Sequence, residues 1–138
     1  MPRFGRYAEW LELTSDRFDH TSELPPEANA GNRFYGRDVA EFVSSGFAAR
    51  GLDARAVEED WGWLVLAQPR RGTTVEIAVY HNLDDDPGRE DTWNLMVRQR
   101  ERRLLFPSER PVDDETLRRL EATFSDAGMS SRRVERDE

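Results

Sequence analysis

Glu59, Asp60, Trp61, Gly62 and Trp63 are consecutive: two carboxylates run directly into two indoles spaced by one glycine. A carboxylate packed on an indole loses water, its pKa rises, and it can then serve as a general acid or base. Indole faces also hold sugars and cations. The plainer and preferred reading is a solvated turn entering a core strand, with Glu59 or Asp60 paired to Arg33 or Arg37.

A second word runs from Asn29 to Gly36, Asn-Ala-Gly-Asn-Arg-Phe-Tyr-Gly. Asn and Gly tolerate left-handed backbone. The segment delivers the chain to a helix N-terminus, where N–H groups can hold an anion with help from Arg33 and Arg37. The preferred reading is turn chemistry with aromatic plugs. Asn32, Arg33, Tyr35, Arg37, Glu59, Asp60, Trp61, Trp63 and Tyr80 are the candidate binding residues.

Elsewhere the chemistry is sparse. The chain has no cysteine and no lysine, and its two histidines are His20 and His81. Thiol nucleophiles, disulfides, iron–sulfur clusters, cysteine zinc sites, Schiff-base lysines and P-loop lysines are excluded. Two imidazoles cannot build a multi-histidine metal centre. Asp84, Asp85 and Asp86 are adjacent rather than alternating and precede Pro87 and Gly88, a turn signal rather than a calcium loop. His81 has no serine or carboxylate partner readable from its neighbours. Arg98, Arg100 and Arg102 alternate and, with Arg103, form a basic cluster. It suits a phosphate or acidic partner, but a solvated or internally paired strand edge is preferred. No catalytic residue, metal ligand or cofactor is assigned.

The elements that must position these residues follow from hydrophobic period. Residues 7–15 alternate loosely and predict a strand. Residues 16–35 form a long loop, of the kind that is usually functional or mobile. Residues 37–50 predict a helix, with Val39, Phe42, Val43 and Phe47 on one stripe, started at Gly36 and ended at Gly51. Strands are expected over 54–59, 61–67, 73–81 and 92–99. Residues 114–127 predict a second helix, with Asp113 as N-cap, Val112 and Leu117 at hydrophobic-staple spacing, and Gly128 closing it. Residues 130–136 suit an edge strand, followed by a frayed tail. Short connections imply antiparallel pairing. The expected fold is α+β: a two-layer sandwich with five or six mainly antiparallel strands and both helices on one face.

The hairpin loop at residues 69–72 decides where the tryptophans point. An even loop pairs Leu66 with Val75 and Leu64 with Ile77. The helix-covered face is then Leu64, Leu66, Val75, Ile77 and Val79, and Trp61, Trp63 and Val65 lie opposite with Glu76, Ala78 and Tyr80. Pro69 and Gly72 suit such a loop; an odd loop inverts the strand. Soluble monomers rarely leave a two-tryptophan face open. Its expected cover is the 16–35 loop, then a second copy, then a foreign partner.

The length, 138 residues, fits a single domain with one sizeable core. Aromatic residues at 10 % argue against disorder. A net charge of −8 argues against general nucleic-acid binding and suits a basic protein partner, although solubility is the plainer account. No apolar run approaches the ~20 residues of a membrane span, and residues 1–12 lack the apolar core of a signal peptide. A cytoplasmic protein without membrane contact is expected. Arginine without lysine, amid much alanine and glycine, is the composition of a GC-rich bacterial genome.

In order, Pro26-Glu27, Gly31-Asn32-Arg33, Gly36, Asp38-Val39-Ala40 and Glu59-Asp60-Trp61-Gly62-Trp63 resemble the pattern of a group of small uncharacterised bacterial proteins, over residues 24–124. The resemblance implies a stand-alone bacterial domain and carries no activity, cofactor or residue role. In size, charge and class the chain is also similar, more weakly, to small acidic bacterial immunity proteins. The functional expectation is a non-enzymatic protein of unknown function acting by protein–protein contact, immunity-like, through an unidentified partner or as a homodimer. The alternative is a small-ligand-binding protein or acid/base enzyme using Glu59 or Asp60 beside Trp61, with Arg33 and Arg37 as anion contacts.

Overall fold

In the computed structural model, which describes residues 6–103 and 106–136, alternating apolar residues build one antiparallel sheet. Its strands are β1 (Glu9–Thr14), β2 (Asp53–Glu59), β3 (Gly62–Arg70), β4 (Thr73–His81), β5 (Thr92–Arg103), β6 (Phe106–Arg110) and β7 (Ser130–Val134). They lie in the order β2-β3-β4-β5-β1-β7. Two helices, α1 (Arg37–Ala49) and α2 (Asp114–Ser125), cover one face. This is the expected α+β architecture with one strand more. Strand β5 runs past the end of β1, and β6 takes the edge so exposed. Among the described residues, no helix is long and apolar enough to cross a membrane.

The helix stripes dock as their period requires. Val39, Val43 and Phe47 of α1 and Leu117, Leu120 and Phe124 of α2 are buried against Leu13, Val65, Ile77, Val79 and Leu95 of the sheet. Phe42, half-buried, stacks on Phe124 with ring centres 6.1 Å apart. The helices touch closely at Gly46, where a Cβ would overlap Thr123 Cγ2. Arg50 then ties their C-terminal ends, donating to the carbonyls of Gly46 at 3.1 Å and Ala122 at 3.4 Å. Asp113 precedes α2 but makes no side-chain cap. Its carboxylate instead accepts from Arg70 Nη1 at 2.7 Å, and its N–H donates to Gln99 Oε1 at 3.0 Å.

The register corrects the expected tryptophan face. Trp63 pairs with Val79, Val65 with Ile77 and Ala67 with Val75, whereas Arg70 pairs with Thr73. The loop itself is the two residues Arg71 and Gly72, an even number. Between the two pairings, however, Gln68 and Pro69 oppose Thr74 alone, a bulge of one extra residue. Proline has no N–H to donate and fits where the ladder is broken. The bulge inverts every residue upstream of it. Trp63, Val65 and Ala67 therefore face the helices, and Leu64 and Leu66 face away.

Trp61 and Trp63 do not share a face either. Trp61 belongs to the turn, and strand alternation begins only at Gly62, whose φ is 147°. Trp63 packs against the helix-side core, while Trp61 packs with Trp10, Leu64, Tyr80 and Met96 on the opposite face. The expected Trp61–Trp63 patch does not form; Trp61 shares its face with the buried Trp10 instead. The 16–35 loop divides: its Phe18 is buried on the helix side, edge-on to Trp93 at 6.1 Å and Phe42 at 5.6 Å, while its Phe34 and Tyr35 stand beside Trp61 and Tyr80.

Candidate functional site

The two words singled out in the sequence form one structural unit. Asn29 lies in left-handed backbone, φ 52°, and is 1 % exposed. Its Nδ2 donates to the carbonyls of Glu59 at 2.9 Å and Gly62 at 2.8 Å, and its Oδ1 accepts the N–H of Phe34 at 2.8 Å. Its own N–H donates to Glu58 Oε2 at 3.0 Å. Asn32 Nδ2 reaches the Asp60 carbonyl at 2.7 Å. The loop is thus clamped onto the turn between β2 and β3, largely through main-chain carbonyls. Side-chain identity at Glu59 and Asp60 plays no part in those bonds.

Two clefts flank the clamped loop, with Phe34 and Tyr35 in the wall of both. The first, of about 350 Å3, is walled by Asp19, Glu27, Asp38 and Glu58 together with Leu24, Trp63 and Arg37. Backbone N–H groups of Thr21 and Ser22 hold the Asp19 carboxyl below its ordinary pKa, so it stays charged. Arg37 is engaged: it pairs with Glu41 at 2.8 Å and stands over the Trp63 ring at 5.9 Å. The second cleft, of about 300 Å3, is mainly aromatic, lined by Phe34, Tyr35, Trp61, Tyr80 and His81 with Val79 and Leu83.

The candidate residues therefore divide. Tyr35, Arg37 and Trp63 line the first cleft; Tyr35, Trp61 and Tyr80 line the second. Asn32, Arg33, Glu59 and Asp60 line neither, and neither Arg33 nor Arg37 pairs with Glu59 or Asp60 among the described residues. Sequence reading missed Asp19, Glu27, Asp38 and Glu58, which converge only once the loop is clamped.

The remaining chemistry-bearing residues are held within the fold. His81 Nε2 meets the Glu90 carbonyl at 2.6 Å, and its ring stacks on His20 at 5.1 Å and tilts on Trp93 at 4.7 Å. Arg98 and Arg100 both reach Glu76, at 3.4 and 3.0 Å, so this part of the basic cluster is internally paired. The side chain of Arg103 lies outside the described residues. Asp84 is bound by Arg136. Among the described residues, no three carboxylate or imidazole groups converge as a metal ion requires. The Tyr80 hydroxyl is buried with no hydrogen-bond partner among the described residues, and burial raises its pKa to about 12.

Comparison of the chain with protein-family models, curated proteins and solved structures found no match in any of the three.

Proposed function

We propose that the protein is a non-enzymatic binding protein that acts by protein–protein contact, and that its partner presents a basic segment to the clamped loop. The observation that supports this reading is the first cleft. Four carboxylates wall it, and its one arginine is already engaged by Glu41 and Trp63. Arg37 also faces Asp38 and Glu58, and main-chain N–H groups bind Asp19, Asp38 and Glu58, but four carboxylates against one guanidinium leave the cleft negative for an entering cation. The net charge of −8 adds a field that speeds encounter with a basic partner. A bacterial, cytoplasmic setting and an immunity-like role belong to the same proposal and rest on the sequence resemblance. A second copy of this acidic chain is the less favoured partner, because like charges meet.

The second reading is a small-ligand site. The aromatic cleft favours it, since about 300 Å3 is at the low end for such pockets. Its acid/base version has less support, because Glu59, Asp60 and Arg33 do not line either cleft.

Affinity capture from the native cell with the wild-type chain and with Glu27→Arg tests the first reading. Glu27 is exposed, and its carboxylate makes no hydrogen bond or ion pair among the described residues, so the change should leave melting unaltered. A basic protein retained by the wild type at low salt and lost by the variant is the expected result. Equal retention by both would reject it.

A further inference from the structure

Guanidinium groups stand over four aromatic rings among the described residues. Arg37 stands over Trp63 at 5.9 Å, Arg136 over Trp10 at 5.1 Å, Arg17 over Phe42 at 5.5 Å and Arg6 over Tyr7 at 5.4 Å. Arginine is the sole basic residue type here apart from the histidines, and its planar, weakly hydrated head stacks better than an ammonium. Trp93 is fully buried and has no face to cover.

Among the tryptophans, Trp61 is the exception. It is half-buried, packs on Tyr80 at 5.8 Å, and has no arginine over it among the described residues. It lines the aromatic cleft, whose walls include no arginine and no carboxylate. Across the shared wall of Phe34 and Tyr35 stand the carboxylates of the first cleft, Asp19, Glu27, Asp38 and Glu58; Asp84 is already taken by Arg136. An aromatic slot beside an acidic cleft suits a guanidinium, which stacks by its plane on an indole.

We propose that this cleft is a second recognition site that receives an arginine side chain of the partner, laid on Trp61. The inference rests on the protein-contact reading and names the chemistry that the partner must present. Phe34, 46 % exposed and common to both clefts, then divides two basic positions of one segment. The chain's own Arg33, exposed and adjacent to Phe34, is the internal competitor.

The test is a titration of the full chain with acetyl-Gly-Arg-Gly-amide and with the same peptide carrying citrulline, which keeps the shape and loses the charge. The indole N–H resonance of Trp61, assigned from the Trp61→Phe spectrum, is the readout. The arginine peptide should move that resonance and bind at least about fivefold more tightly than the citrulline peptide. Read by calorimetric titration with the same two peptides, Trp61→Leu should abolish the preference, and Trp61→Phe, which keeps a ring in the same packing, should retain part of it. Equal binding of the two peptides would overturn the proposal. So would an Arg33→Ala spectrum in which Trp61 moves as far as with peptide, since the site would then be filled internally. Free arginine amide binding more tightly than the peptide would assign the site to a small cation and overturn the partner assignment. If Glu27→Arg loses no captured protein while the peptides discriminate, the partner reading falls; if capture holds and the peptides do not discriminate, this inference falls alone.

Discussion

The side-chain amide of Asn29 donates to the main-chain carbonyl of Gly62 at 2.8 Å, across 33 residues of chain. With the bond to Glu59 at 2.9 Å, both amide hydrogens are used, and the loop and the β2–β3 turn become one body. Removing the side chain would take one donor from each of two carbonyls and the acceptor from the Phe34 N–H. Asn29→Ala should therefore cost about 2–4 kcal/mol in denaturant unfolding, from several lost bonds and the strain of a left-handed alanine. Asn29→Asp should fare no better, because a carboxylate cannot donate to either carbonyl. A loss below about 1 kcal/mol for both variants would show that the clamp does not hold the loop.

Gly46 tests the helix–helix contact. In an exposed helix Gly→Ala stabilises by about 1 kcal/mol. Here the new methyl meets Thr123, so Gly46→Ala should instead destabilise by about 1–3 kcal/mol. Adding Thr123→Ser removes the obstructing Cγ2 and keeps the hydroxyl that donates to the Arg119 carbonyl at 2.8 Å. The double variant should recover most of the loss, and additive effects in the four-way cycle would argue against close approach.

Phe124 is fully buried between the helices and the sheet. Phe124→Ala should cost about 3–5 kcal/mol through lost transfer energy and the cavity left behind. Urea melts check it, and a cost near that of a surface substitution would mean that α2 does not dock on the sheet.

Tyr80 carries a pH prediction with a definite sign. Its hydroxyl is buried and unpartnered, and burial holds its pKa at about 12 against the usual 10.0. The unfolded chain therefore releases this proton first as pH rises. The stability contribution is fully present below pH 10 and is lost as pH rises through about 12, on the order of 2 kcal/mol. Tyr80→Phe should remove that part of the alkaline loss. At neutral pH it should leave stability unchanged or raise it by about 1 kcal/mol, because no hydrogen bond is given up. Parallel alkaline slopes for the two proteins would contradict the buried, unpaired hydroxyl.

Local pattern alone determined much of this molecule. The 3.6-residue stripes through Val39, Val43 and Phe47 and through Leu117, Leu120 and Phe124 were sufficient to place both helices on one core. The alternation of Val75, Ile77 and Val79 identified a strand and its buried side together, because successive side chains must point to opposite faces. Glycines at 36, 51 and 128 marked helix ends because each adopts positive φ, where a side chain is strained.

Tertiary pairing decided the rest. The side on which Trp63 lies depends on one extra residue at Gln68 and Pro69, and a proline fits a loop start as well as a bulge, so no local signal separates the two. Strand β6, with Phe106 as its one large apolar residue, forms because β5 outruns β1 and leaves an unpaired edge. Asn29 gave a turn signal in the sequence, but its side-chain amide donates to carbonyls 30 and 33 residues away, and only the folded chain brings them within reach. The same closure gathers Asp19, Glu27, Asp38 and Glu58 around one cleft. Period-two and period-3.6 patterns are set by neighbours in sequence, whereas register and loop closure are set by main-chain hydrogen bonds between distant segments, and those are settled only in three dimensions.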